Sequence, residues 1–76
     1  MAMRVEPIDA GIDVSKKTLA VAQEGEKVVE IVNDAGSIRA WLKSLPQPAR
    51  IGVEATGVYH VELVEQAHRA GHAVYV

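Results

Sequence analysis

Cysteine is absent from this 76-residue chain, which excludes a disulfide framework and any thiolate metal site and suits a reducing compartment. Also missing is an excess of cationic charge: 8 Lys and Arg stand against 10 Asp and Glu, for a formal net charge of −2. That balance argues against a domain whose main work is to coat nucleic acid, because phosphate binding leans on clustered Lys and Arg, although a basic partner domain could supply them. No apolar run approaches the roughly 20 residues that span a bilayer. The segment behind Met1 reaches Glu6 and Pro7 before any apolar stretch, so it lacks the long apolar core of a secretory signal. The expectation is a soluble, cytoplasmic chain without a membrane partner. Low-complexity tracts, internal repeats and linkers are missing too, which leaves one domain. At this length a fold buries roughly 60% of its unfolded surface and is marginally stable, but a hydrophobic fraction of 49% and a charged fraction of 24% are ordinary for a globular protein.

What is present is periodic. Ile8, Ala10, Ile12 and Val14 alternate with Asp9, Gly11 and Asp13, the period of two that gives a strand one apolar face and one acidic face. A second strand over residues 17–24 follows a Ser-Lys turn, and Gly25-Glu26 is a two-residue hairpin loop leading into a third strand, Val28 to Val32. Short turns between these three predict an antiparallel meander. The period then changes: Ile38, Trp41, Leu42 and Leu45 form one helical stripe, with Asp34 or Ser37 as N-cap and Trp41 in the core. Pro46 and Pro48 end that helix. Arg50 to Glu54 reads as a fourth strand. Thr56-Gly57 opens a second helix carrying Val58, Val61, Leu63, Val64 and Ala67, Gly71 terminates it, and Ala73 to Val76 begins a fifth strand.

The predicted fold is therefore α/β, in the order strand, strand, strand, helix, strand, helix, strand. Right-handed crossovers stepping the same way give a mixed sheet of spatial order 3-2-1-4-5, with only the second strand antiparallel to the rest and both helices on one face. Because the fifth strand is cut short, residues 1–76 read as the N-terminal fragment of a larger domain.

Asp13 and Glu54 each close an apolar strand, on neighbouring parallel strands, and both point away from the helices. Burying charge is costly without a compensating cation. Two carboxylates at adjacent strand ends are hard oxygen ligands suited to Mg²⁺ or Mn²⁺ held together with phosphate oxygens, and such ions promote phosphodiester cleavage. Each acid also has a plainer reading: Asp13 as a turn residue ahead of Ser15-Lys16, and Glu54 as a helix cap or the partner of Arg50. Lys16 is a candidate contact to nucleic-acid backbone or simply solvated. Thr56 and Gly57 either draw phosphate to a helix N-terminus or only make a close turn. His68 and His72 have a metal-like spacing, but Gly71 interrupts the helix between them and no third ligand is evident.

The segments Gly11-Ile-Asp-Val-Ser-Lys-Lys-Thr-Leu19, Glu54-Ala-Thr-Gly-Val-Tyr-His60 and Ala70-Gly-His72 together resemble the N-terminal part of the DEDD transposases and recombinases of the Piv/MooV type. The resemblance spans nearly the whole chain. It implies a RuvC-like, ribonuclease H-like catalytic domain, with Asp13 and Glu54 as the first two acids of the DEDD set and two aspartates further along. It also implies divalent-metal-dependent cutting and joining of DNA during transposition of a mobile element, assembly into homo-oligomers and, in some members, a guide RNA. With two acids of four, the chain alone is expected not to cleave DNA. Two other readings stand beside this one: the N-terminal lobe of an actin-like sugar kinase or ATPase, whose first hairpin also begins Gly-Ile-Asp but carries glycines where this chain has Ser15-Lys16-Lys17, and a non-catalytic interaction module of the same fold. The helix-free sheet face is expected to expose part of Leu19, Val21, Val29, Ile31, Val74 and Val76 and to drive self-association there or along the fifth strand's edge.

Overall fold

A computed structural model describes residues 8–23, 25–55 and 57–76 of the chain. Alternating apolar residues build the strands Ala10–Val14 (β1) and Thr18–Gln23 (β2), followed by the short strand Val29–Val32 (β3). Ala35–Lys43 (α1), Arg50–Ala55 (β4), Val61–Arg69 (α2) and Ala73–Tyr75 (β5) complete the order. The strands form one five-stranded sheet, β3-β2-β1-β4-β5. β1 is antiparallel to β2 and parallel to β4, while β2 and β3 pair antiparallel and β4 and β5 parallel. This is the α/β topology and strand order expected from the sequence. Among the described residues no helix is long and apolar enough to cross a membrane.

The core lies between one sheet face and the two helices. Ile12, Val14, Leu19, Val21, Ile51 and Val53 from the sheet form one cluster with Ile38 and Leu42 of α1 and Leu63 and Ala67 of α2. Burying each of the larger side chains is worth about 1.5–3 kcal/mol, which outweighs weak local preference in a chain this short. Asp34 caps α1 by accepting the Ser37 N–H at 2.7 Å. Past α2, Gly71 adopts φ +92°, the left-handed conformation that lets the chain turn back toward the sheet.

Four expectations need correction. α2 starts at Val61, not at Thr56-Gly57; Gly57 has φ +71° and leads a turn over residues 57–60, so Val58 and Val61 are exposed. The buried stripe is set by Leu63 and Ala67, one turn apart, and Val58 lies ahead of the helix altogether. Ile8 does not continue the apolar face of β1. A Cβ on Gly52 would meet Ile8 Cγ2 at 3.4 Å, so Ile8 lies over the bare face, because Asp9 turns aside to bond the start of β4. Trp41 is half-buried, packed against the core from its margin.

The fourth correction concerns the bare face. Leu19 and Val21 stand opposite Val14 and Ile12, Ile31 stands opposite Leu19, and Val74 stands opposite Ile51. Register partners share a face, so these large residues turn toward the helices. Val29, the partner of Val21, is exposed only because it lies on the edge strand. The uncovered face carries small residues instead: Gly11, Ala20, Ala22 and Gly52 floor an open depression of about 550 Å³, with Val28, Tyr75 and Val76 around it.

Candidate metal centre

Strand alternation delivers the two acids. In β1 the burial pattern leaves Asp13 exposed between buried Ile12 and Val14. In β4 Glu54 is exposed directly after buried Val53. The parallel register sets Asp13 opposite Glu54, Ile12 opposite Val53 and Gly11 opposite Gly52. Neighbouring strands lie about 4.8 Å apart, so the two carboxylates leave the sheet side by side, on the bare face and near the C-terminal ends of their strands.

Among the described residues neither carboxylate has a hydrogen bond or ion pair. Arg50, the cation nearest Glu54 on its own strand face, does not pair with it. Asp9 holds Arg50 instead: Asp9 Oδ2 accepts the Arg50 backbone N–H at 2.7 Å and lies 3.4 Å from the guanidinium Nε. That backbone hydrogen bond is the main reason the Asp9 carboxyl is held below its ordinary pKa, with the guanidinium charge adding to it and partial desolvation opposing it. Asp13 and Glu54 are thus adjacent anions without a counter-charge among the described residues.

Adjacent like charges on a sheet repel, and a cation between them removes the repulsion. Two carboxylates offering hard oxygen donors fit Mg²⁺ or Mn²⁺ rather than a soft metal. They supply part of a coordination sphere only, since no group of three or more His, Cys, Asp or Glu gathers around a common point among the described residues. Beside the acids the bare face is open at Gly11, where a Cβ would meet nothing within 4 Å, whereas the Ile8 side chain lies over Gly52.

The loops at this sheet end hold the other sequence candidates. Lys16 is exposed in the turn between β1 and β2, a turn closed by the Ser15 N–H and hydroxyl on the Thr18 carbonyl, both at 2.9 Å. Gly57 lies in the turn after β4, ahead of the helix, so it does not form part of the α2 N-terminus. Thr56 lies outside the described residues. The histidine pair separates: His68 is exposed, whereas His72 is buried with Nδ1 accepting the Ala49 N–H at 2.9 Å, which rules out shared ligation in this arrangement.

Sequence reasoning missed Asn33. Its side-chain Nδ2 donates to the Ser15 carbonyl at 2.9 Å and to the Tyr59 carbonyl at 3.0 Å, while its backbone N–H donates to the Lys17 carbonyl at 2.8 Å. An Asn between a strand and a helix cap reads locally as a turn residue, and only the tertiary fold brings the three carbonyls around it. Compared with protein-family models and with curated proteins, the chain matches none.

Proposed function

We propose that this chain is the N-terminal part of a ribonuclease H-like catalytic domain of the DEDD transposase type, acting on DNA in the cytoplasm and assembling with further copies of itself. The observation that carries the reading is the parallel register of Asp13 with Glu54 on the helix-free face, in a pair without a cation partner among the described residues. The resemblance of the segments around Gly11, Glu54 and Gly71 adds DNA as the substrate and, for some members of that family, a guide RNA.

In this reading Asp13 and Glu54 hold the divalent ion, and two further aspartates of the domain complete its ligands. Bound there, Mg²⁺ or Mn²⁺ supplies Lewis-acid activation of the attacking oxygen and stabilisation of the leaving oxygen in phosphodiester cleavage and joining. The protein's own share is positional. Asp13 and Glu54 present oxygens from neighbouring strands, the open face at Gly11 admits the DNA backbone, and Lys16 and Gly57 border the approach, Lys16 as a cation for the phosphates.

Paramagnetic broadening tests the reading and remains sensitive to weak binding. Substoichiometric Mn²⁺ added to the ¹⁵N-labelled chain should first erase amide signals around Asp13 and Glu54, and Asp13→Asn or Glu54→Gln should abolish that selectivity. Broadening centred on other acids, or spread evenly over them, refutes the metal assignment. A thermal shift with ATP and no selective Mn²⁺ effect would move the reading to the actin-like kinase lobe.

A further inference from the structure

Each carboxylate of the pair is followed by a loop, and the two loops share one fastener. Ser15 lies just beyond Asp13, and Tyr59 lies in the turn that follows Glu54. The carbonyls of both residues accept hydrogen bonds from the same atom, Asn33 Nδ2. A primary amide nitrogen has two N–H donors, so this pair of carbonyls uses both. The amide orientation follows from chemistry: turned over, its oxygen would face two carbonyl oxygens. The backbone N–H of Asn33, bonded to the Lys17 carbonyl, pins the residue itself to the first loop.

We infer that Asn33 is a positioning residue for the Asp13–Glu54 pair, a clamp from the end of β3 that holds the β1–β2 turn to the turn after β4; its link to catalysis rests on the metal-centre reading above. Ladder hydrogen bonds fix β1 against β4 only as far as the strands run. Beyond Val14 and Ala55 the chains enter separate loops, and strand ends open more readily than strand centres. The acids stand close to that unprotected end. With the loops joined through one side chain, the spacing of the carboxylates is set by a residue that touches neither acid.

Asn33→Ala removes both side-chain donors, and Asn33→Asp keeps the shape but sets a carboxylate against two carbonyl oxygens. Hydrogen exchange by NMR should show the Ser15 amide of the first turn and the Val61 amide of the second accelerating together, by about tenfold or more, in either variant. The Ile12 and Val53 amides in mid-sheet should keep their protection. Selective Mn²⁺ broadening at Asp13 and Glu54 should need several-fold more Mn²⁺ in Asn33→Ala than in the parent chain. If Asn33→Ala does not fold, Asn33→Ser, with one hydroxyl donor left, takes its place. Acceleration in one turn only, or equally throughout the sheet, overturns the clamp. Unchanged Mn²⁺ broadening in a variant whose turns have both loosened overturns the positioning role. A parent chain without selective broadening sinks the metal reading instead, and the exchange data alone then decide the clamp.

Discussion

Asp9 and Arg50 meet where β4 begins, the carboxylate accepting the backbone N–H at 2.7 Å and facing the guanidinium Nε at 3.4 Å. Glu54 lies toward the other end of the same strand, opposite Asp13. The sheet therefore keeps its one ion pair among the described residues away from the acids that face each other. Charge is balanced at one end of β4 and left unbalanced at the other.

An unbalanced pair should cost stability when no cation is present. In chelator, Asp13→Asn and Glu54→Gln are each expected to raise the melting temperature, since either removes a like-charge contact and leaves no buried partner behind. With Mn²⁺ or Mg²⁺ the parent chain should gain on both variants, because a ligand that binds only the folded state stabilises it by mass action. Differential scanning calorimetry in the two buffers checks this. Variants that melt lower in chelator would show that the carboxylates serve the fold.

Acid should act through Asp9 and Asp34. Both carboxyls have folded-state pKa values below the ordinary one, chiefly through the backbone N–H of Arg50 for Asp9 and of Ser37 for Asp34. A depressed folded value means that the unfolded chain takes up protons first. The stabilisation is then complete above the unfolded value, about pH 4, shrinks as the pH falls below it, and is gone once the pH has passed the folded value. Urea melts between pH 6 and pH 2 should show that loss, and the slope should flatten in Asp9→Asn and Asp34→Asn. An unchanged slope in both variants would place the acid sensitivity elsewhere.

His72 is expected to serve the fold. Its Nδ1 accepts the buried Ala49 N–H, joining the segment before β4 to the residue before β5. In the neutral ring that bond leaves the proton on Nε2, which is buried without a partner among the described residues. His72→Ala strands the Ala49 N–H and should cost about 1–3 kcal/mol beyond the loss of packing. His72→Asn, whose side-chain oxygen can stand near the Nδ1 position, should cost less. Chemical denaturation of both variants measures the difference, and equal losses would dismiss the hydrogen bond as the cause.

Most of the fold was legible because two periods carry it. Alternation in residues 10–14 and the stripe through Ile38, Leu42 and Leu45 are long enough to be read without tertiary knowledge. The same alternation put Asp13 and Glu54 on one face, and topology made their strands neighbours. Misreadings came where pattern gave way to partners. Val58 looked helical because Val61 and Val64 follow it, yet the left-handed backbone at Gly57 opens a turn over residues 57–60, and the helix begins only at Val61. Leu19 and Val21 turn to the helices, not to the bare face, because parity in β2 depends on how many residues the turn at Ser15 consumes, which pairs Leu19 with Val14; Val76 does border the depression on the bare face. Asn33 was out of reach for a different reason: its side-chain partners lie 18 and 26 residues away.

The chain alone is expected to leave DNA intact. Two carboxylates give a divalent ion few ligands, so it should be held loosely and in variable geometry. Supercoiled plasmid incubated with the chain and Mn²⁺ should remain uncut over hours. Nicking that disappears in Asp13→Asn would show that two acids suffice.

The pairing of β1 with β4 also governs when the acidic pair comes into being. Asp9 and Arg50, which begin that pairing, are 41 residues apart in sequence, whereas the meander β1-β2-β3 is closed by short turns. Local hairpins form sooner than contacts that must first close a long loop. Asp13 thus belongs to the locally closed part of the sheet, whereas Glu54 joins it only through the long-range pairing of β4 with β1. No partly folded form that holds only the meander can carry the two-acid face, because that face exists only together with the parallel half of the sheet.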